Sequence, residues 1–405
     1  MTPSTINPAS GLPRLTRRAT LLGLAGAVSL GRASMALAAA PTDRRFVVIL
    51  LRGALDGLSA VVPYGDRHLA TWRGGLLTGR PGQPGGPLDL GGFYGLHPVL
   101  TGMHGLYAAG ELMPVHAIAG VWRVRSHFEA QDYMEMGDGD HSIKSGWLNR
   151  VAGNIPRPPH GDNAIAIAAT MPLILRGPTQ AGSWLPENFR SPAVTLYNEI
   201  AALNRRDPIT GPAFADGLRE RGFIDAVQGQ QHHRGRQAFP SLALVAGRML
   251  AAADGPRLAA MEMVGWDTHV AQVPRLRYPL TALDHGLVAL KQGLGAAWAN
   301  TAVLVITEFG RTVRENGTNG TDHGTATTAF LAGGAIQGGR VRADWPGLAQ
   351  NQLFQNRDLA PTAELRALAK GVLASHLGLD QAALLRVFPG SQSVAPMAGL
   401  IRANA

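Results

Sequence analysis

The stretch Ala302-Val303-Leu304-Val305-Ile306-Thr307, followed directly by Glu308-Phe309-Gly310-Arg311, decides the fold of this 405-residue chain. A run of apolar, largely β-branched residues is typical of a strand buried on both faces of a parallel sheet. Polar residues after such a strand lie at the carboxyl edge of the sheet, where open α/β folds bind their ligands. The stretch therefore predicts an α/β fold with a polar site at that edge.

A second strand of the same kind begins the predicted fold. Phe46 to Leu51 is a continuous apolar run, and Gly53 and Gly57 on either side of Asp56 let the backbone turn tightly. Asp56 is then either a metal ligand at the carboxyl end of this strand or a cap of the next turn.

Two further polar motifs lie in the C-terminal half. A predicted strand, Leu258 to Val264, leads into Gly265-Trp266-Asp267-Thr268-His269, and an Asn- and Gly-rich turn precedes Asp322-His323-Gly324. Asp267 and His269 alternate along an extended segment, so both side chains point to one side. Asp, Glu and His bind divalent metal ions, and these residues, with Glu308, predict a metal site.

The remaining pattern alternates strands and helices, which indicates a doubly wound, mainly parallel sheet flanked by helices. Further strands are predicted at 112–119, 164–169 and 328–332, and helices at 242–253, 280–294 and 363–377. Residues 41–405 are expected to form a single domain. A loop-rich insertion or cap is expected at about 154–237.

The exit from the strand at 112–119 carries the sequence Arg123-Val124-Arg125-Ser126-His127-Phe128-Glu129. Ser126 with Glu129 three residues later predicts a capping box at a helix start. The same hydroxyl, flanked by Arg123 and Arg125 at the positive end of the helix dipole, suits a nucleophile or an anion site. The residues leave both readings open. A glycine- and aspartate-containing segment, 137–142, is predicted to be a loop of the active site.

The N-terminus is predicted to be an export signal. Thr16-Arg17-Arg18 precedes a short apolar stretch and the small residues Ala36-Leu37-Ala38. This pattern favours the twin-arginine pathway, with Sec export as the alternative, and a mature chain that begins near Ala39. We expect residues 1–40 to be the signal, the twin-arginine translocase to be a partner, and the protein to be periplasmic or exported.

Composition limits the chemistry. The chain has no cysteine, so thiolate ligands and cysteine nucleophiles are excluded. Its net charge of +9 is scattered without basic runs, which argues against nucleic-acid binding. After the signal, the sequence shows no apolar stretch long enough for a stable membrane span.

These motifs together resemble the alkaline phosphatase and sulfatase superfamily. Within it, the export signal with GWDTH, TEFGRT and DHG is similar to the bacterial domain-of-unknown-function family 1501. The resemblance implies an alkaline-phosphatase-like fold with one or two divalent metal ions, usually zinc. It also implies transfer of phosphoryl or sulfuryl groups from an anionic small-molecule or polymer ester through a hydroxyl or formylglycine nucleophile.

Carried over by position, the resemblance implies a role for each site residue. Ser126 is the nucleophile, Asp56 binds the metal beside it, Glu308 takes the place of a ligand Asp, and the ligands of the other metal are Asp267, His269 and His323. Two positions depart from the superfamily. Glu308-Phe309 stands where Asp-His is usual, and Asp267-Thr268-His269 is shorter than Asp-x-x-x-His. Asp322 then replaces a missing ligand, and Arg311, with Arg125, contributes positive charge toward the substrate.

Two function classes follow from the sequence. The first is a metal-dependent hydrolase or transferase of phosphate or sulfate esters, with Ser126 attacking in line. The second is a non-catalytic envelope binding or assembly protein on a hydrolase fold whose second metal site is degraded at Phe309. Metal content distinguishes the two classes.

Overall fold

The computed structural model describes residues 43–77, 79–138, 143–156, 162–168, 170–184 and 238–403. The predicted export signal, residues 139–142 of the predicted active-site loop and most of the predicted insertion lie outside these residues. The described strands, in chain order, are β1 (Arg45–Arg52), β2 (Val61–Val62), β3 (Leu88–Asp89), β4 (Gly95–Leu96), β5 (Leu112–Ala119), β6 (Ala164–Ile167), β7 (Gly182–Trp184), β8 (Leu258–Val264), β9 (Thr301–Thr307), β10 (Thr327–Ala332) and β11 (Ala363–Glu364).

Helices flank the strands throughout the described chain. They are α1 (Gly57–Ala60), α2 (Leu69–Arg73), α3 (Thr101–Ala108), α4 (His127–Met136), α5 (Trp147–Ala152), α6 (Ala238–Ala251), α7 (Gln272–Leu294), α8 (Leu365–Leu377) and α9 (Gln381–Val387). Among these helices, none combines the length and the apolar character that crossing a membrane requires.

The central sheet has the order β11-β5-β10-β9-β1-β8-β6-β7, and strands β2 to β4 form a separate small sheet. Only β10 runs antiparallel to its neighbours in the central sheet, β5 and β9. The neighbouring pairs β1–β8, β1–β9, β6–β8, β6–β7 and β5–β11 are parallel. This topology confirms the predicted doubly wound, mainly parallel α/β sheet.

Strand β1 shows why the sheet is covered on both faces. Side chains alternate along a strand, and Phe46 and Leu50 lie in one hydrophobic core while Val47 and Leu51 lie in the other. Helices α4, α5, α8 and α9 pack on the first face, and α3, α6 and α7 pack on the second. Full burial of each such side chain contributes about 1.5 to 3 kcal/mol, so the unbroken apolar run fixes β1 at the centre.

Several element boundaries differ from the sequence prediction, and two of these differences have a clear cause in tertiary contacts. Helix α7 begins at Gln272, eight residues before the predicted start, and the buried Gln272 side chain bonds to other polar groups. The last long helix, α8, begins at Leu365 because Ala363 and Glu364 pair with β5 as a short strand. In both cases tertiary contacts, which have no local signature, set the boundary.

Candidate metal centre

The carboxyl ends of three neighbouring parallel strands meet at one edge of the sheet. Arg52 at the end of β1 is level with Val264 of β8, and Leu51 is level with Thr307 of β9. The segments that follow these strands therefore emerge side by side. Together with the start of α4 and the loop before β10, they bring several predicted site residues together.

The centre of this edge is a cluster of His127, Asp267 and His323. One ligand atom from each of the three lies within 4.8 Å of the other two. Asp267 Oδ2 is 3.6 Å from His127 Nε2, and Asp267 Oδ1 is 3.5 Å from His323 Nε2. Around a tetrahedral ion with bonds of roughly 2.0 to 2.2 Å, neighbouring ligand atoms are about 3.4 Å apart. Both distances from Asp267 to the histidines are close to this value.

His127 is held by Glu308. The Nδ1 atom of His127 lies 2.7 Å from Glu308 Oε1, and a carboxylate can only accept, so Nδ1 carries the hydrogen and Nε2 carries the lone pair. That Nε2 is buried and has no hydrogen-bond partner in the described part of the chain. A buried nitrogen lone pair without a donor fits a metal ligand, and a carboxylate behind it is the usual support for such a histidine.

Glu308 itself is fully buried and accepts several hydrogen bonds. Its Oε1 accepts from the amide of Gly53 at 2.8 Å and from Gln131 Nε2 at 3.0 Å, in addition to His127. Burial raises the pKa of Glu308, but the bonds from His127 and Gln131 outweigh it and leave the pKa below its usual value. The structure therefore places an ionised Glu308 behind His127, in contact with the ligand rather than with the ion position.

His323 and His269 meet through their Nε2 atoms, which are 3.0 Å apart. The Nδ1 atom of His323 donates to the backbone oxygen of Arg125 at 2.8 Å, and Nδ1 of His269 lies 3.1 Å from Asp322 Oδ1. In the neutral form of both rings each Nδ1 carries the hydrogen, so both facing Nε2 atoms carry lone pairs, which repel unless a proton or a metal cation lies between them. Burial lowers the pKa of His323, which favours its neutral form.

His269 is the solvent-side member of this group. Its Nε2 lies 3.1 Å from Asp267 Oδ1, and its side chain is 39% exposed. Asp322 is more exposed still, at 55%, and also accepts a hydrogen bond from Asn316 Nδ2. The structure thus brings His269 beside two of the three cluster residues and puts Asp322 behind it, as Glu308 is behind His127.

Arg311 is buried beneath Asp267 and forms an ion pair with it. The guanidinium also donates to the backbone oxygens of Gly53, Ala54 and Thr321. Burial raises the pKa of Asp267, but Arg311 outweighs this and keeps the pKa below its usual value. Arg311 therefore joins the ends of β1 and β9 and orients an ionised Asp267, and its side chain is not available to solvent.

The glycines of the TEFGR and DHG motifs allow two loops to pass at contact distance. Arg311 and His323 form an antiparallel bridge, and the Gly324 amide donates to the Gly310 oxygen at 2.8 Å. A Cβ on Gly324 would lie 2.4 Å from the carbonyl carbon of Arg311, and one on Gly310 would lie 1.9 Å from a backbone oxygen. Both glycines are required for the approach that positions His323.

Phe309 closes the inner side of the cluster. Its ring centroid lies 5.0 Å from that of His127 and 5.0 Å from that of His323. The side chain is almost fully buried. It therefore supplies an apolar wall against two histidine rings, which keeps water away from them on that side.

Asp56 lies outside this cluster. It is fully buried and forms an ion pair with Arg73, while Ser59 Oγ donates to its Oδ2 at 2.6 Å and Gln272 Nε2 donates to the same oxygen. Burial raises the pKa of Asp56, but Arg73 outweighs this and leaves the pKa below its usual value. The cation beside Asp56 in this structure is thus an arginine of the chain.

Ser126 lies at the N-cap of α4, but the predicted capping box is wrong because its side chain makes no cap hydrogen bond. The side chain is exposed one residue before His127. Arg125 lies with Nη2 2.7 Å from Asp358 Oδ2, and Arg123 donates to nearby backbone oxygens. Of Arg123, Arg125 and Ser126, only Arg125 is hydrogen-bonded to the cluster, through its backbone oxygen.

Sequence reasoning identified Asp267, His269 and His323 but missed His127. The available signal was a histidine at the first turn of a helix that follows a buried strand. It was overlooked because the neighbouring Ser126 fitted both a cap and a nucleophile, and the distance between His127 and Glu308 along the chain hides their contact.

No curated protein matches the chain. Among solved structures, it is similar to the C-terminal periplasmic domain of EcEptC from Escherichia coli in complex with Zn, at 11% identity and a TM-score of 0.36, covering 72% of this chain and 73% of that one. It is also similar to Ps i-CgsB in complex with k-i-k-neocarrahexaose, at 9% identity and a TM-score of 0.35, covering 87% and 77%. The sequence model of one family matches residues 122–388, and the chain belongs to that family, described as Protein of unknown function (DUF1501).

Proposed function

We propose that this protein is a metal-dependent hydrolase or transferase of phosphate or sulfate esters that works with one divalent ion. His127, Asp267 and His323 hold the ion, and His269 completes the set on the solvent side. The observation that carries the proposal is the convergence of imidazole lone pairs, with the buried Nε2 of His127 left without any hydrogen-bond partner in the described residues.

The donor set favours zinc. Imidazole nitrogens with one carboxylate are ligands that zinc accepts readily, whereas magnesium and calcium prefer oxygen ligands. Each histidine of the set has an oxygen acceptor at its Nδ1, which is the outer-shell arrangement of many zinc sites. One carboxylate does not neutralise a dication, so the site retains positive charge for an anionic ester.

A second ion is not part of this proposal. Asp56, the expected ligand beside the nucleophile, is already paired with Arg73 inside the fold. Within the residues that the structure describes, His127, Asp267 and His323 are the single group with metal-ligand spacing. The described residues therefore support a proposal of one ion.

A bound divalent ion would lower the pKa of water or a hydroxyl group and offset negative charge on the ester. The chain's own residues prepare the site. Glu308 and the Arg125 oxygen fix the orientation of His127 and His323, and Arg311 keeps Asp267 ionised and aimed at the cluster. Ser126, exposed at the start of α4, is the candidate nucleophile, and the first amides of this helix are suited to an ester oxyanion.

Metal content tests the site directly. Purified protein should contain about one divalent ion per chain by elemental analysis. His127→Ala, Asp267→Ala and His323→Ala should each lose it. His285→Ala, which alters an exposed histidine of α7, is the matched control and should retain it. Circular dichroism verifies that every variant is folded, and equal metal content in all of them would refute the proposed site.

Turnover tests the reaction class. We expect hydrolysis of at least one member of a panel of aryl phosphates, phosphodiesters and sulfate esters, and loss of it after chelation. Ser126→Ala separates a serine nucleophile from attack by water. Undiminished turnover in that variant removes Ser126 as the nucleophile, and a metal-loaded protein inert to the whole panel favours the binding-protein alternative.

We also propose that residues 1–40 direct export through the twin-arginine pathway. Replacement of Arg17 and Arg18 by lysine should leave the full-length precursor inside the cell. Export that is unaffected by this change but blocked by Sec inhibition would show that the Sec pathway carries the chain.

A further inference from the structure

A polar cleft opens beside the candidate metal centre. Its volume is about 600 Å³, and its lining includes Trp72, Arg314, Asn316, Asp322 and Arg357. Two of these residues also contact histidines of the metal centre. Asp322 Oδ1 lies 3.1 Å from His269 Nδ1, and Arg357 Nη2 donates to the backbone oxygen of His323 at 2.6 Å. The cleft therefore lies directly beside His269 and His323.

The acidic side chains of the cleft are already engaged by the protein. Glu315 Oε2 accepts from the Gly75 amide at 3.0 Å, and Asp322 Oδ1 accepts from Asn316 Nδ2 at 3.1 Å and contacts His269. These contacts offset part of their negative charge. Both carboxylates therefore accept hydrogen bonds from protein groups in the wall of the cleft.

The cationic side chains are only partly engaged by carboxylates. Arg314 is exposed, its guanidinium lies 4.8 Å from the centre of the Trp72 ring, and no carboxylate of the described residues pairs with it. Arg357 lies 3.7 Å from Asp358, but that buried carboxylate is shared with Arg125 at 2.7 Å. Stacking on Trp72 holds the Arg314 guanidinium in place without neutralising it.

We propose that this cleft is a subsite for a second anionic group of the substrate, bound by Arg314 and Arg357. The substrate class is then a polyanionic ester, in which one phosphate or sulfate reaches the metal centre and another lies in the cleft. This inference rests on the proposed function for the identity of the reacting group. The cleft itself rests only on its own geometry and charge.

Binding of model polyanions tests the subsite. The probes are sucrose octasulfate for the sulfate arm and fructose 1,6-bisphosphate for the phosphate arm, with neutral sucrose as the control. Isothermal titration should show binding of at least one anion and not of sucrose, and the affinity should fall as ionic strength rises. Trp72 adds an optical signal, since a change in tryptophan fluorescence on binding should disappear in Trp72→Phe.

Arg314→Ala should weaken binding of the polyanion about tenfold, which corresponds to about 1.4 kcal/mol. Arg275→Ala, an exposed arginine on α7 outside the cleft, is the matched control and should bind as the wild type does. Arg314→Ala should keep its metal, because its side chain has no contact with the cluster. Equal affinity in Arg314→Ala and the wild type, or equal binding of neutral sucrose, would overturn the subsite.

The two proposals fail in different ways. Metal-loaded protein that hydrolyses a monoanionic ester but binds neither polyanion disproves the subsite and leaves the proposed function intact. A protein that binds a polyanion through Arg314 but holds no metal and turns over no ester confirms the subsite as a binding site and disproves the metal-dependent reaction.

Discussion

Replacement of Glu308 by glutamine separates the charge of this residue from its packing. Glu308 Oε1 accepts hydrogen bonds from His127, Gln131 and the Gly53 amide. The oxygen of the introduced amide can occupy the same place and accept the same bonds. What changes is the charge behind His127, so the substitution tests whether this charge supports metal binding.

The other end of the side chain also tolerates the amide. Thr307 Oγ1 lies 2.7 Å from Glu308 Oε2 and 2.7 Å from the backbone oxygen of Leu51, and its single hydrogen can serve only one of them. With Glu308→Gln, the amide donates to Thr307 Oγ1 while the hydroxyl donates to Leu51. The buried site keeps its hydrogen bonds, so the fold should remain intact.

The expected effect is on metal affinity. Loss of such an outer-shell carboxylate typically reduces affinity roughly 10- to 100-fold, or about 1.4 to 2.7 kcal/mol. The assay is competition for zinc against a chromophoric chelator, with a thermal melt of the metal-free protein alongside. Glu135→Gln is the control, because Glu135 is a buried carboxylate on α4, the helix that carries His127. It pairs with Arg52 at 2.9 Å.

Two results would refute this reasoning. Unchanged zinc affinity in Glu308→Gln would mean that the charge behind His127 does not support a ligand. An equal loss of affinity in Glu135→Gln would mean that the effect comes from general destabilisation. Glu308→Ala gives a different outcome, since it leaves buried donors without acceptors, each costing about 1 to 3 kcal/mol of stability.

Three further predictions concern stability and geometry. Burial lowers the pKa of His116 from 6.5 to about 4, so the neutral imidazole's contribution to the free energy of unfolding is complete above pH 6.5 and is lost as the pH falls toward 4. His116→Phe should therefore flatten that part of a plot of the free energy of unfolding against pH. Asp56→Ala leaves Arg73 buried without its carboxylate and should lower the free energy of unfolding in urea by about 3 to 5 kcal/mol. The metal content of the folded protein should stay unchanged, whereas a ligand role for Asp56 predicts metal loss. Gly324→Ala forces the loop away from its neighbour and should reduce metal content by displacing His323, while unchanged content would show that the loop adapts.

Much of the fold was predictable because its strongest signals are local. The apolar runs of β1 and β9 are longer and more uniform than a half-exposed strand allows, and each leads into a polar segment that contains glycine. Strand β5 and strand β8 have the predicted boundaries. The start of α7 was not predictable, because Gln272 belongs to it through a buried network with Asp56 and Thr321.

Only part of the candidate site could be predicted from the sequence. Asp267 and His323 stand in motifs whose polar residues follow strands or tight turns, so their location at the sheet edge could be expected. The roles of Glu308 and Arg311 could not be predicted. The motif around Glu308 would be the same whether Glu308 bound the metal or supported a histidine ligand. The motif around Arg311 would likewise be the same whether Arg311 bound the substrate or paired with a buried aspartate. Burial decides between these roles, and burial depends on the whole fold.

The sequence by itself determined an α/β chain with polar motifs at strand ends, because hydrophobic periodicity and chain turns act over a few residues. The tertiary structure decided which of those motifs meet. His127 and Glu308 are 181 positions apart, yet they lie in hydrogen-bond contact. Asp56 follows a neighbouring strand, yet it lies outside the cluster and forms a buried ion pair with Arg73. Side-chain chemistry sets what a residue can bind, but the order of strands in the sheet and the burial it produces set which partner it finds.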